Sequence, residues 1–129
     1  MRHLLFVGHA RYAEGLRAAV EMLMGEREWV GSCSMVEGGD FARSLAEALE
    51  SVAADDEVVL LADIAGGSPE RLVRQRLAEI GVADERVCGF GGANLAMALS
   101  AVMGIEEGLD LASIGDALLS EGRTAVRRL

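Results

Sequence analysis

Residues 57 to 63, EVVLLAD, form an unbroken β-branched and aliphatic run that ends in a carboxylate, and this stretch restricts the fold more than any other. A strand with no polar alternation is buried on both faces, which is the condition of a parallel sheet covered by helices. The segments around it agree. HLLFVG is followed by RYAEGLRAAVEMLMG, which places Leu16, Ala19, Val20 and Leu23 at helical spacing and closes on Gly25. WVGSCSMV is a second short strand, and DFARSLAEALESVAA a second helix with Phe41, Leu45, Ala48 and Leu49 on one face and Asp40 as its N-cap.

After EVVLLAD come the helix IAGGSPERLVRQRLAEIG, a fourth strand ERVCGF, a helix GGANLAMALSAVMG capped by Asn94, a fifth helical stretch LDLASIGDALLSEG and a tail RTAVRRL. That order, βαβαβαβαα with short connections, predicts a doubly wound, mainly parallel sheet with helices on both faces. At 129 residues the chain reads as one domain spanning 1–129. In the common strand order 2-1-3-4, the carboxyl ends of strands 1 and 3 flank the crevice where such sheets gather functional groups. His9 ends the first and Asp63 the third.

Composition excludes several functions. The charged residues are 12 arginines, no lysine and 21 acidic residues, for a net charge of −9. Nucleic acid is not an expected partner, because phosphate neutralisation needs clustered positive charge. Without lysine there is neither a Schiff base nor an ordinary phosphate-binding loop. The apolar start is broken by Gly8 and His9, too early for a signal peptide or membrane insertion, and the expected location is the cytoplasm. Cys33 and Cys88 form no C-x-x-C pair and read as small core residues. Met22, Met24, Met97 and Met103 read as core or partner-facing packing.

His9 beside Asp63 has a specific chemical meaning. A carboxylate that accepts the N–H of one ring nitrogen leaves the other unprotonated and nucleophilic, and it stabilises positive charge on the ring. GGSPER adds an anion cradle: Ser68 is the expected N-cap with Pro69 at the first helical position, and Gly66 and Gly67 let an anion approach the backbone. The three together describe a site for a phosphoryl group on histidine. A metal site is the weaker reading, since His3 would have to point the same way as His9 and Asp63 would supply most of the remaining ligands; no metal and no cofactor are expected. An aspartyl-phosphate receiver shares the length and sheet type, but receivers resemble one another in an acidic pair after the first strand and a late lysine. Here Gly8-His9 stands in that place and lysine is absent. CGFGGANLAMAL lacks the dinucleotide spacing and reads as a tight turn.

Along nearly its whole length the chain resembles the mannose-class enzyme IIA domain of the bacterial phosphoenolpyruvate-dependent sugar phosphotransferase system. The strand ending at His9, AEGL and EMLMGE in the first helix, D-x-x-GGSP from Asp63 to Pro69, and NLAM in the fourth helix carry the resemblance. It implies that His9 accepts a phosphoryl group from the histidine phosphocarrier protein and passes it to an enzyme IIB partner, which serves the membrane IIC and IID components, so that the chain works peripheral to the transporter. It implies that Asp63 orients the ring and that Ser68 with the helix N-terminus receives the phosphoryl oxygens. It also implies a homodimer with an antiparallel C-terminal edge strand exchanged between subunits, for which RTAVRRL is the candidate.

The chain departs from the usual family pattern at Ala10, where glycine is frequent, at Ile64, where a hydroxyl residue often stands, at Glu70, usually apolar, and at Ala96, usually proline. Losing the hydroxyl beside Asp63 removes one phosphate hydrogen bond, worth about 1 kcal/mol net. Three functions stay open on residues alone: a phosphocarrier subunit, a regulator of the same fold switched by phosphohistidine, and a non-covalent small-molecule binding module. A mobile phosphodonor would dock on an exposed apolar patch including Tyr12 and Phe90, ringed by Arg11 and Arg71.

Overall fold

Val58 to Ala62 are at most 1% exposed, so the EVVLLA strand is covered on both faces. In the computed structural model, which describes residues 1–129, this strand is β3 (Glu57–Ala62). It lies between β1 (Arg2–His9) and β4 (Val87–Phe90), with β2 (Val30–Met35) beyond β1. The order is β2-β1-β3-β4 and every pair is parallel, as the alternation of elements predicts.

Period-two alternation along the strands divides the apolar residues into two layers. Leu4, Phe6, Val59 and Leu61 pack under α1 (Tyr12–Met24), α4 (Leu95–Glu106) and α5 (Leu111–Thr124), against Leu16, Val20, Ala98, Val102, Ile114 and Leu118. Leu5, Val7, Val58 and Leu60 face α2 (Phe41–Ala48) and α3 (Ser68–Ile80), against Leu45, Val73 and Leu77. Asp40 and Asn94 cap α2 and α4 by accepting from the Arg43 and Met97 N–H groups, as read from the sequence. Cys33 is buried and Cys88 half-buried; burial pushes the Cys33 thiol up to about 11.

One expectation needs correction. Leu23 is exposed, because the buried face of α1 runs through Ala13, Leu16 and Val20 and continues to Met24 rather than Leu23. Met22 and Met103 also lie on the outside, while Met97 is buried. In this single chain Arg123 and Thr124 finish α5, the Gly122 carbonyl accepts from the Asn94 side chain, and residues 125–129 pair with no strand.

His3 is buried at the opposite end of β1 from His9, where Nε2 lies 2.8 Å from Asp56 Oδ2. Asp56 also accepts from the Ala53 N–H and the Met1 amino group. The Ala53 bond first, and then the His3 bond, hold its carboxyl well below the usual range against the opposing effect of burial. A depressed carboxyl contributes stability that is present above its unfolded value of about 4 and is lost as pH falls below it. Asp56→Asn should therefore lower stability at pH 7, by roughly 1–3 kcal/mol, chiefly because buried His3 loses its charged partner. Urea titrations repeated at falling pH should show the gap between parent and variant shrinking below about pH 4.

Candidate functional site

At the carboxyl end of the sheet, Asp63 leaves β3 and turns toward β1. Gly8 makes room for it: a Cβ at that position would lie 3.0 Å from Asp63 Cγ. Oδ2 of Asp63 accepts from the backbone N–H of His9 at 2.8 Å and lies 2.8 Å from the ring Nδ1, while Oδ1 accepts from the Ile64 N–H at 2.8 Å. Burial pushes this carboxyl up, but the hydrogen bonds from the His9 N–H, the His9 ring and the Ile64 N–H outweigh it and leave it below its ordinary value. An ionised carboxylate only accepts, so Nδ1 carries the proton and Nε2 of the neutral ring presents its lone pair. The His9 side chain is 48% exposed and that of Asp63 13%, a supported ring facing outward.

The β3–α3 loop closes against this ring. A Cβ on Gly67 would lie 3.2 Å from His9 Cε1 and 3.2 Å from Ile64 Cγ1, and Gly66 sits at φ +76°, where a side chain is strained. The helix cap differs from the expectation. Gly67, extended at φ −74° and ψ 164°, is the N-cap of α3, and Ser68 is already helical, so its hydroxyl makes no capping bond. Arg71 N–H bonds to the Gly67 carbonyl and Pro69 has no N–H. The Gly67, Ser68 and Glu70 N–H groups are thus left without helix partners, together with the Ser68 hydroxyl, at the positive end of the helix dipole.

His9, Asp63, Gly66, Gly67 and Ser68 are therefore gathered at one mouth. His3, engaged with Asp56, is not part of it. Arg11 and Arg71 flank the mouth on the segments after His9 and Gly67, are exposed, and enter none of the salt bridges their neighbours form. The apolar rim differs from the expected patch: Tyr12, Ile64 and Val36 are exposed, but Phe90 packs back on the core.

Two supports of the site were not legible in the sequence, which marked Tyr12 only as part of a docking patch. Tyr12 donates its hydroxyl to the Ala93 carbonyl, and the β4–α4 loop donates Gly92 N–H to Asp63 O at 3.1 Å and Ala93 N–H to Ala62 O at 3.0 Å. Gly91 of that loop packs directly on the backbone of Ala65. The glycine pair in GFGGAN was the available signal, but it names a turn without naming what the turn leans on.

Ala10 follows His9 at φ +50°, the only non-glycine residue with positive φ. The left-handed region disfavours a Cβ, so Ala10 holds backbone strain that a glycine would not. Ala10→Gly should raise stability by about 0.5–1 kcal/mol, the relieved strain less the added unfolded-state entropy, as measured by chemical denaturation.

Fold and site together define a doubly wound α/β protein with a carboxylate-paired imidazole beside a helix N-terminus at the switch point of its sheet. The chain belongs to the EIIA-man family, PTS system fructose IIA component, whose family model matches residues 3–117. It is thus a IIA-type component of the phosphotransferase system. Its fold is shared with the phosphotransferase component EIIA from Streptococcus agalactiae, at a TM-score of 0.82 and 19% identity over 99% of this chain and 97% of that one. The mannose/sorbose specific IIA subunit from Enterococcus faecalis aligns at 0.80 and 24% identity over 99% and 94%. The PTS IIA protein associated with the fucose utilization operon of Streptococcus pneumoniae aligns at 0.74 and 20% over 98% and 92%. No helix is long and apolar enough to cross a membrane.

Proposed function

We propose that this chain, as one domain spanning residues 1–129, is a phosphocarrier in which His9 takes a phosphoryl group from the histidine phosphocarrier protein and hands it to an enzyme IIB component, which supplies the membrane IIC and IID components for sugar uptake. The observation that carries this reading is the His9–Asp63 pair, with Nδ1 occupied and Nε2 without a partner on a half-exposed ring. In the step, the Nε2 lone pair forms a bond to phosphorus as the phosphorus–nitrogen bond of the donor breaks, and the electron pair leaves on the donor imidazole. The His9 ring becomes cationic, and Asp63, kept ionised by its hydrogen bonds, stabilises that charge. The free N–H groups of Gly67, Ser68 and Glu70 and the Ser68 hydroxyl receive the phosphoryl oxygens, with Gly66 and Gly67 leaving the approach open. Transfer to the IIB partner reverses the same motions.

A macromolecular donor fits better than a free small molecule. The ring is half exposed, and none of the main cavities of the protein is lined by His9, Asp63 or Ser68. The exposed Tyr12, Ile64 and Val36 with unpaired Arg11 and Arg71 offer a docking rim instead. In this reading the protein works in the cytoplasm, peripheral to the transporter, as a homodimer.

The test is intact mass after incubation with phosphoenolpyruvate, enzyme I and the histidine phosphocarrier protein. One acid-labile phosphoryl adduct is expected, present in His3→Ala and absent in His9→Ala. No adduct in the presence of an active donor, or an adduct that persists in His9→Ala, overturns the proposal.

A further inference from the structure

β2 is an outer strand of the sheet, and its free edge has no partner in the chain. Leu4 N–H donates to the Trp29 carbonyl and Ala10 N–H to the Met35 carbonyl. With the register running from Leu4↔Val30 to His9↔Met35, the bonds to β1 fall on alternate residues, Gly31, Cys33 and Met35. The N–H and C=O groups of Ser32 and Ser34 therefore point outward, and no loop takes them up. Natural edges are normally blunted by charged side chains, proline or a bulge. VGSCSM contains no charge and no proline, and its register is unbroken.

An open cavity of about 500 Å³ lies over this edge, lined by Ser32 and Ser34 of the strand, Val36 just past its end, Glu14 of α1, and Ser44 and Glu47 of α2. The Ser34 hydroxyl is buried and has no hydrogen-bond partner within the chain. The walls are acidic: Glu14 forms no salt bridge, Glu47 has only the exposed Arg43 at 3.3 Å, and Glu37 follows the strand.

We infer that the β2 edge accepts an extended, basic segment of a partner protein as an added strand, main chain to Ser32 and Ser34, with arginine or lysine side chains toward Glu14 and Glu47. A second copy of this chain is a poorer occupant, because a two-fold axis at β2 would bring Glu14 and Glu47 of both copies together. β2 ends at Met35, opposite His9, so the added strand would end at the mouth of the His9 site. The inference does not depend on phosphoryl chemistry there.

The test is an amide NMR titration with a short blocked peptide of alternating arginine and valine. Shift changes confined to residues 31–36 and the surroundings of Glu14 and Glu47, with slowed hydrogen exchange at the Ser32 and Ser34 amides, are expected. N-methylating the peptide's alternate amides should weaken binding by about tenfold or more, the size of one or two lost hydrogen bonds. Exchanging its arginines for glutamates should abolish binding, and Ser34→Pro, which removes the outward N–H together with the hydroxyl but no bond to β1, should do the same while β1 stays paired. If Ser34→Pro does not fold, the N-methylated peptide on the parent protein decides. Equal binding of the N-methylated peptide, or shifts lying elsewhere, overturns the inference. Shifts at β2 that follow protein concentration without peptide also overturn it and assign the edge to a second copy.

Discussion

In the proposed phosphocarrier reaction, Asp63→Asn is expected to slow phosphoryl transfer through His9 by about two to three orders of magnitude, some 3–4 kcal/mol in the barrier, with a much smaller effect on stability. The carboxylate accepts three hydrogen bonds, from the His9 N–H, the His9 ring and the Ile64 N–H. An asparagine has one acceptor oxygen. If that oxygen stays on His9, the amide NH₂ faces the Ile64 N–H, donor against donor. If it turns toward Ile64, it meets both donors on His9. In either orientation the negative charge beside the ring is gone, so the cationic phosphoimidazole loses its counter-charge. With Nδ1 no longer held by an acceptor, the tautomer that exposes the Nε2 lone pair loses its advantage. Rapid-quench transfer from the phosphorylated histidine phosphocarrier protein measures the rate, and urea denaturation separates it from unfolding. A drop of less than about tenfold in a well-folded variant would leave Asp63 with only a structural role.

The sheet was legible in the sequence because its evidence is local and redundant. EVVLLA is apolar on both faces, which only a covered parallel strand explains, and three further strand-helix units repeat the pattern. The helix faces were less secure where two apolar residues stand side by side. Leu23 and Met24 are equally apolar, and only the buried line through Leu16 and Val20 selects Met24. The pairing of His9 with Asp63 followed from strand order alone, since a carboxylate and an imidazole at the ends of adjacent parallel strands meet at the crevice.

What remained hidden is what depends on contacts distant in sequence. Ser-Pro is a strong helix-start signal, yet with Gly67 extended the helix begins one residue earlier than that signal places it. This frees the Ser68 hydroxyl from the cap. Phe90 is as apolar as Ile64, and its place at the end of the short strand β4, under α5, decides that it faces the core and not the rim. The tail RTAVRRL carries no pattern that distinguishes a helix end from a strand, and in this chain its first residues complete α5.

Gly91→Ala is expected to cost about 2–3 kcal/mol and to slow phosphoryl transfer by about tenfold, although the residue lies on neither β1 nor β3. Its Cβ would lie 2.4 Å from Ala65 N and 2.6 Å from Ala65 Cα, backbone atoms that no rotamer change can withdraw. One of two loops must move. If it is the β4–α4 loop, the Gly92 bond to Asp63, the Ala93 bond to Ala62 and the Tyr12 bond to Ala93 are strained together. If it is the β3–α3 loop, Gly67 shifts relative to the His9 ring, and the free N–H groups of α3 move off the line of the incoming phosphoryl. Gly108→Ala supplies the control: at φ +72° with no atom nearby, it costs about 1 kcal/mol of backbone strain far from the mouth and leaves transfer at the parent rate. Denaturation and single-turnover transfer on the two variants separate strain from misplacement. Gly91→Ala transferring at the parent rate would show that the Gly91–Ala65 contact holds the fold without holding the site.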